Sequence, residues 1–276
     1  MRSTAAVLGS PISHSLSPLI HNFAYRTLGI EAEYIAVEVK ESEFLSWIRS
    51  ALSQSEQWLG FSLTMPLKEV VCSEQLADLI SLDALATEIG SANTLYLDGA
   101  QWFGLSTDVL GFEFLLQPVN FRKVAILGAG GTARAALAAL RGFNSDDSLE
   151  ITIFRRSGHR DEKMLKAAGA LHIAIDDFKN FSTAERFDLV INTVPNSGVL
   201  GVAVDFAGCD LVLDANYSPW PTAFMQRQRL DQKQVISGIE LLCAQAIPQI
   251  KLMTKREFDA FELFNLLLNE AKKTLQ

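Results

Sequence analysis

Val124-Ala125-Ile126-Leu127-Gly128-Ala129-Gly130-Gly131-Thr132-Ala133 is the stretch that decides the fold. Its apolar first part reads as a strand, and Gly128 to Ala133 matches G-x-G-x-x-A ahead of a helix from about Thr132 to Leu140. In such a turn the first glycine permits the tight bend. The second lets backbone approach a pyrophosphate, and the small last residue lets helix pack closely on strand. N–H groups at the helix N-terminus then face the phosphates. The next strand, Ile151 to Phe154, ends in Arg155-Arg156-Ser157 with Arg160 just beyond. An NAD-binding unit commonly places a carboxylate there for the ribose hydroxyls. Guanidinium groups instead clamp a 2′-phosphate and stack on adenine, so this strand end favours NADP.

Outward from this turn, short apolar runs alternate with longer amphipathic ones, the pattern of an α/β protein with largely parallel strands. Downstream, strands at Leu189 to Asn192 and Leu211 to Leu213 continue a doubly wound pattern to about residue 238, and helix and strand signals compete over Asp161 to Phe187. Upstream, Ala5 to Leu8 reads as a strand. Pro18 then opens a helix in which Leu19, Ile20, Phe23, Ala24 and Leu28 recur at helical spacing. Strands follow at Tyr34 to Val39, Gly60 to Leu63 and Ser91 to Leu97, the last ending in the turn signal Asp98-Gly99, with a helix at Phe44 to Leu52 between the first two. A second unit begins near Thr107 with a helix from Val109 to Leu116, and the final stretch, from Leu241, is helical.

At 276 residues the chain exceeds the length at which one core keeps growing, so two domains are expected. A net charge of -8 argues against a nucleic-acid or anionic-membrane binder, since either needs a basic face. Any phosphate ligand must be met by a local basic cluster. Cys72, Cys209 and Cys243 fall in no paired spacing, which predicts neither a disulfide framework nor a thiolate metal site and points to a reducing, cytoplasmic home. Gly9-Ser10-Pro11 interrupts the apolar run at Ala5 to Leu8 before a signal-peptide core forms, and no segment approaches the roughly 20 apolar residues of a membrane span.

Four further segments carry a family resemblance. Gly9-Ser10-Pro11-Ile12-Ser13-His14-Ser15-Leu16-Ser17-Pro18 with His21-Asn22, then Thr64-Met65-Pro66-Leu67-Lys68, Gly90-Ser91-Ala92-Asn93-Thr94, and Ser106-Thr107-Asp108 with Gly111-Phe112 resemble the signatures of the shikimate dehydrogenases. Asp214, Tyr217, Pro219 and the run Gly238 to Gln245 are similar to the family's closing motifs, so the likeness runs the length of the chain. It implies an α/β substrate-binding catalytic domain at 1–105 and a doubly wound Rossmann NADP-binding domain at 106–238. Helices at 239–276 would return to the substrate domain.

The resemblance also implies roles. Lys68 and Asp108 match the catalytic pair; Ser15, Ser17, Thr64, Asn93, Tyr217 and Gln245 match substrate-binding residues. Gly128, Ala129, Gly130, Gly131, Thr132, Ala133, Arg155, Arg156, Ser157, Arg160 and Gly238 form the cofactor set. Hydride reduction of a ketone leaves negative charge on oxygen; an ammonium stabilises and protonates it, and a neighbouring carboxylate keeps that ammonium charged. Ser17 is also expected to cap the helix beginning at Pro18. His14 and His21 have no further ligands nearby in sequence, so no metal is expected. Ser62 and Ser106 stand where the family usually has Asn, and room for the longer amide is expected at Ser62. The implied activity is NADP-linked, reversible reduction of 3-dehydroshikimate to shikimate by a monomer or homodimer. Two rivals remain: a dehydrogenase of quinate or another cyclic polyol acid, and a metabolite-sensing paralogue without turnover.

Overall fold

The alternation of apolar and amphipathic stretches resolves, in the computed structural model, into two separate six-stranded sheets. Residues 3–54, 57–144, 148–181, 185–195, 209–222, 225–226 and 234–275 are described. The chain divides into one unit of Met1–Gly111 with Leu242–Gln276 and a second of Phe112–Leu241.

The first unit contains β1 (Ser3–Gly9), α1 (Ser17–Thr27), β2 (Ala32–Glu38), α2 (Glu41–Leu52) and β3 (Trp58–Leu63). These are followed by α3 (Leu67–Val70), β4 (Ile80–Leu82), α4 (Ala84–Ile89), β5 (Thr94–Asp98) and β6 (Gln101–Leu105). Strand order is β2-β1-β3-β5-β6-β4, with β1 parallel to β2 and β3, and β5 antiparallel to both β3 and β6. The Asp98-Gly99 signal is a hairpin: Asp98 pairs with Gln101, and Gly99 takes φ +60. Strand β5 starts at Thr94, later than expected, which leaves Ser91 to Asn93 as a loop. Helix α1 buries Ser17, Ile20, His21, Ala24 and Tyr25, one face at helical spacing. The core gathers Phe44, Ile48, Phe61, Leu95 and Trp102, with Phe61 and Trp102 stacked at 5.5 Å.

Helix α5 (Thr107–Leu116) begins in the first unit, and the chain passes into the second within it. There follow β7 (Lys123–Leu127), α6 (Gly131–Leu140), β8 (Glu150–Arg155), α7 (Asp161–Ala168), β9 (Ile173–Asp177), β10 (Phe187–Asn192), β11 (Cys209–Asp214) and β12 (Gln234–Ile236). All pairings are parallel, in the order β12-β11-β10-β7-β8-β9. Counted from β7 this is the doubly wound order, with the direction of winding reversing between β7 and β10. The contested stretch after Arg160 becomes α7, which buries Met164, Ala167 and Ala168, followed by β9. Helix α8 (Gly238–Thr254) carries the chain back into the first unit, which α9 (Ala260–Thr274) completes. Among the described residues no helix is long and apolar enough to cross a membrane, and the three cysteines form no disulfide.

Candidate active site and cofactor turn

Four segments of the first unit converge on one polar cluster. Lys68 is held near the start of α3 and Asp108 in the first turn of α5, and Lys68 Nζ lies 2.5 Å from Asp108 Oδ2. Only 18% of the Lys68 side chain and 7% of the Asp108 side chain is exposed, so the pair is little screened by water. The other carboxylate oxygen accepts from Asn93 Nδ2 at 2.8 Å. Asn93 is oriented by a donor that cannot reverse: the backbone N–H of Thr107 reaches its Oδ1 at 2.6 Å, which turns the amide nitrogen toward Asp108. That nitrogen also reaches Gln245 Oε1, 3.2 Å away on α8. Backbone bonds Leu63 N to Asn93 O and Ala92 N to Lys68 O, 2.8 and 2.9 Å, tie the Asn93 loop to β3 and to α3. Lys68, Asp108, Asn93 and Gln245 are thus brought together.

The remaining substrate candidates divide. Thr64 is half-buried just after β3, and a Cβ on Gly9 would collide with its Cγ2, so glycine at that position admits it. Ser17 does not cap α1. It is the helix's first residue, and Ser15 Oγ accepts from its N–H at 3.3 Å, because the turn before Pro18 places the earlier serine over the helix end. Tyr217 is half-buried in the second unit, in the segment after β11 that Asp214 organises. Asn192 Nδ2, Asn216 Nδ2 and Thr222 Oγ1 donate to Asp214 at 3.0, 2.9 and 2.6 Å. Burial pushes its carboxyl above the ordinary range, and these donors oppose the shift.

Ser62 corrects an expectation. Its hydroxyl accepts from Tyr34 Oη at 2.6 Å and donates to Gln249 Oε1 at 2.9 Å, and the residue is 5% exposed, so the room expected for an amide is taken. Ser106 Oγ is buried with no partner among the described residues. His14 is exposed. His21 is fully buried, stacked on Tyr34 at 3.9 Å, and burial pushes its pKa from 6.5 to about 3, so it is neutral. Sequence reasoning missed Tyr34, Thr94, Thr107 and Gln249. Signals existed for three of them: Thr94 and Thr107 lie inside the family-like segments, and Gln249 lies one helical turn beyond Gln245 and so on the same face of α8.

In the second unit, Gly128 follows β7 with φ +112, and a Cβ there would collide with Thr193 Oγ1 just past β10, at the reversal of strand order. Gly130 is the extended N-cap of α6, and no side chain caps the helix, which leaves first-turn N–H groups to an anion. Gly131 and Thr132 begin α6, Ala129 lies inside the turn, and Ala133, in the first turn of α6, is fully buried. Arg160 Nη1 stands 3.6 Å from the Cβ position of Gly130, which sets a cation beside the turn. Gly128 to Ala133 fit a dinucleotide pyrophosphate, with Arg160 at the edge of the turn.

At the end of β8 the arginines differ from one another. Arg156 is exposed. Arg155 is closed on Asp161, with Nε and Nη2 each 2.8 Å from a carboxylate oxygen, so a carboxylate does reach this strand end, from the first residue of α7. Ser157 Oγ pairs with His159 Nδ1 at 2.6 Å. Gly238 has a packing reason, since a Cβ would collide with the carbonyl oxygen of Asn216.

Comparison with known proteins gives the same direction. A family model described as the shikimate dehydrogenase substrate binding domain matches residues 7–95. Over 263 residues the chain is 33% identical to a shikimate dehydrogenase (NADP(+)) of Bartonella quintana, covering 89% of this chain and 86% of that one. The crystal structure of Mycobacterium tuberculosis shikimate dehydrogenase superposes with a TM-score of 0.83 at 28% identity, covering 97% and 99% of the two chains. A Thermus thermophilus shikimate 5-dehydrogenase in complex with NADP(H) and shikimate gives 0.77 at 25% identity, covering 97% of this chain and 99% of that one.

Proposed function

The chain belongs to the shikimate dehydrogenase family, and on that premise we propose that it interconverts 3-dehydroshikimate and shikimate with NADP(H), the reacting oxygen meeting Lys68 and Asp108. One observation carries the assignment of residues: the enclosed pair of Lys68 Nζ and Asp108 Oδ2 at 2.5 Å, with Asn93 on the second carboxylate oxygen. Bound NADP(H) supplies or takes up the hydride. In reduction, the Lys68 ammonium stabilises the charge developing on the carbonyl oxygen and delivers the proton that makes the hydroxyl. In oxidation Lys68 and Asp108 take that proton back. Asp108 orients the Lys68 ammonium, and Asn93 keeps the carboxylate turned toward it.

Ser15, Ser17 and Thr64, with Asn93, Gln245 and Tyr217, hold the carboxylate and ring hydroxyls of the substrate. Ser15 and Ser17 meet at the start of α1, where Ser15 Oγ accepts from the Ser17 N–H and keeps its own proton to donate. Gly128 to Ala133 cradle the pyrophosphate, and Arg156 and Arg160 receive the 2′-phosphate, while Arg155 and Ser157 shape the strand end and Gly238 the start of α8. The enzyme works in the cytoplasm, as a monomer or homodimer, with its cysteines as thiols. Initial rates with shikimate and with quinate, each with NADP and with NAD, test the assignment. The shikimate and NADP combination should dominate, and faster turnover of quinate would overturn it.

A further inference from the structure

Behind the Lys68–Asp108 pair lies a run of buried hydrogen bonds whose donors all point one way. Tyr34 Oη donates to Ser62 Oγ at 2.6 Å, and Ser62 Oγ donates to Gln249 Oε1 at 2.9 Å. His21 Nε2 faces the same oxygen at 3.2 Å. His21 is neutral, and its Nδ1 is buried without a partner among the described residues, so Nε2 carries the proton that bonds. With its oxygen taken by these donors, Gln249 presents its amide nitrogen to Thr94 Oγ1 at 2.9 Å. A hydroxyl has one proton, so Thr94, accepting from Gln249, passes its own onward. It goes to Asn93 Oδ1 at 3.0 Å or to the Thr107 hydroxyl at 2.9 Å, which itself donates to Asn93 Oδ1 at 3.0 Å. Asn93 Nδ2 then donates to Asp108. Thr94 is 0%, Gln249 1% and Asn93 2% exposed, so no bulk water competes for these bonds.

We infer that Gln249 is a positioning residue for the reaction: acting through Thr94, it tightens the hold that the Thr107 N–H already has on the Asn93 amide and thereby steadies the carboxylate of Asp108. Successive donors aligned toward one carboxylate polarise one another, and the low dielectric of the site strengthens each bond. Removing the Gln249 amide leaves Thr94 without its donor. Its hydroxyl is then no longer held as a donor toward Asn93 and Thr107, and the donor reaching Asp108 is weaker and less well aimed. Gln249 itself need not touch the substrate. The inference rests on Asp108 acting at the reacting oxygen, as proposed above.

The test is a double-mutant cycle on kcat for shikimate oxidation, using Gln249→Met, Thr94→Val and the double variant, with Thr94→Ser as the conservative rescue. Each of the first two should lower kcat about tenfold, the worth of roughly one hydrogen bond in the transition state. The double variant should lose no more than about tenfold, because two links of one chain are broken only once. Thr94→Ser should stay within about twofold of wild type, and the dissociation constant for NADP should be unchanged throughout. Wild-type kcat in Gln249→Met overturns the inference. So does a double variant whose loss is the product of the singles. If circular dichroism shows that Gln249→Met does not fold, the comparison of Thr94→Val with Thr94→Ser decides, and equal kcat in those two overturns it. Asp108→Asn in the same assay keeps the two claims apart: wild-type turnover there removes the role of Asp108 itself, whereas additive losses beside an impaired Asp108→Asn remove only the chain leading to it.

Discussion

In the first unit the polar cluster is built of side chains drawn from four distant places, Lys68, Asn93, Asp108 and Gln245, whereas in the second a single turn, Gly128 to Ala133, presents backbone. The first arrangement is cross-braced by side chains: both Asp108 oxygens are engaged, and Asn93 is held by Thr94, Thr107 and its own backbone. The second leaves its α6 amides without a side-chain cap. Chemistry at a single oxygen needs few donors held to a fraction of an ångström, and a cross-braced network supplies that rigidity. A pyrophosphate needs close approach and several N–H groups, which glycine backbone supplies without a side chain in the way.

If this division is right, each unit can be disabled without the other, and Lys68→Ala should show it most strongly. We expect kcat to fall on the order of 10²-fold or more, since the ammonium matters most as charge develops on oxygen. NADP affinity measured by titration calorimetry should be unchanged. Wild-type kcat would remove Lys68 from the chemistry, and an equally large loss of NADP affinity would break the division.

The arginines at the end of β8 provide the reciprocal experiment. Arg156→Ala and Arg160→Ala should each weaken NADP by about 10- to 150-fold, the worth of a charge-assisted hydrogen bond, with NAD little affected and kcat at saturation preserved. Arg155→Ala should do less to NADP selectivity, because its fork is already closed on Asp161. Dissociation constants for both cofactors in the three variants separate the roles, and the largest selective loss falling on Arg155 would reverse them.

The remaining effect is on the stability of the first unit and leaves turnover aside. His21 has a pKa near 3 when folded and 6.5 when unfolded, so the unfolded chain binds the proton more readily. The stability it contributes is fully present above pH 6.5 and is lost as pH falls toward about 3, at no more than about 1.4 kcal/mol per pH unit. Urea unfolding of wild type and His21→Phe between pH 7 and pH 4 should therefore show a shallower acid loss in the variant, with the Tyr34 stacking surface kept. Parallel curves would mean that His21 is not the titrating group.

How much of this was legible in sequence follows the same division. Local periodicity announces itself in consecutive residues: the strand ending at Leu127, the glycine spacing after it, the helical stripe of α1 and the doubly wound alternation all followed from spacing. Hairpin β5–β6 was half legible, through Asp98-Gly99, but β6 itself was not, since Gln101 to Leu105 is short and takes its place from pairing with β5 and β4. Motif likeness singled out Lys68, Asn93, Asp108 and Gln245, which the fold links in one hydrogen-bonded run from Lys68 through Asp108 and Asn93 to Gln245.

By itself, then, the sequence determined the two α/β halves, the glycine turn and its basic flank, because each is encoded by neighbours within a few residues. Only the tertiary structure decided which polar groups meet. Ser62 and Gln249 are separated by 187 positions yet share a hydrogen bond, and Asp161 from the next helix claims Arg155. A side chain's partner across a core is set by where strands and helices come to rest, and the energy that places them is mostly non-directional burial of apolar surface. The polar contacts are then chosen among whatever that burial brings close, so no local pattern of residues announces them.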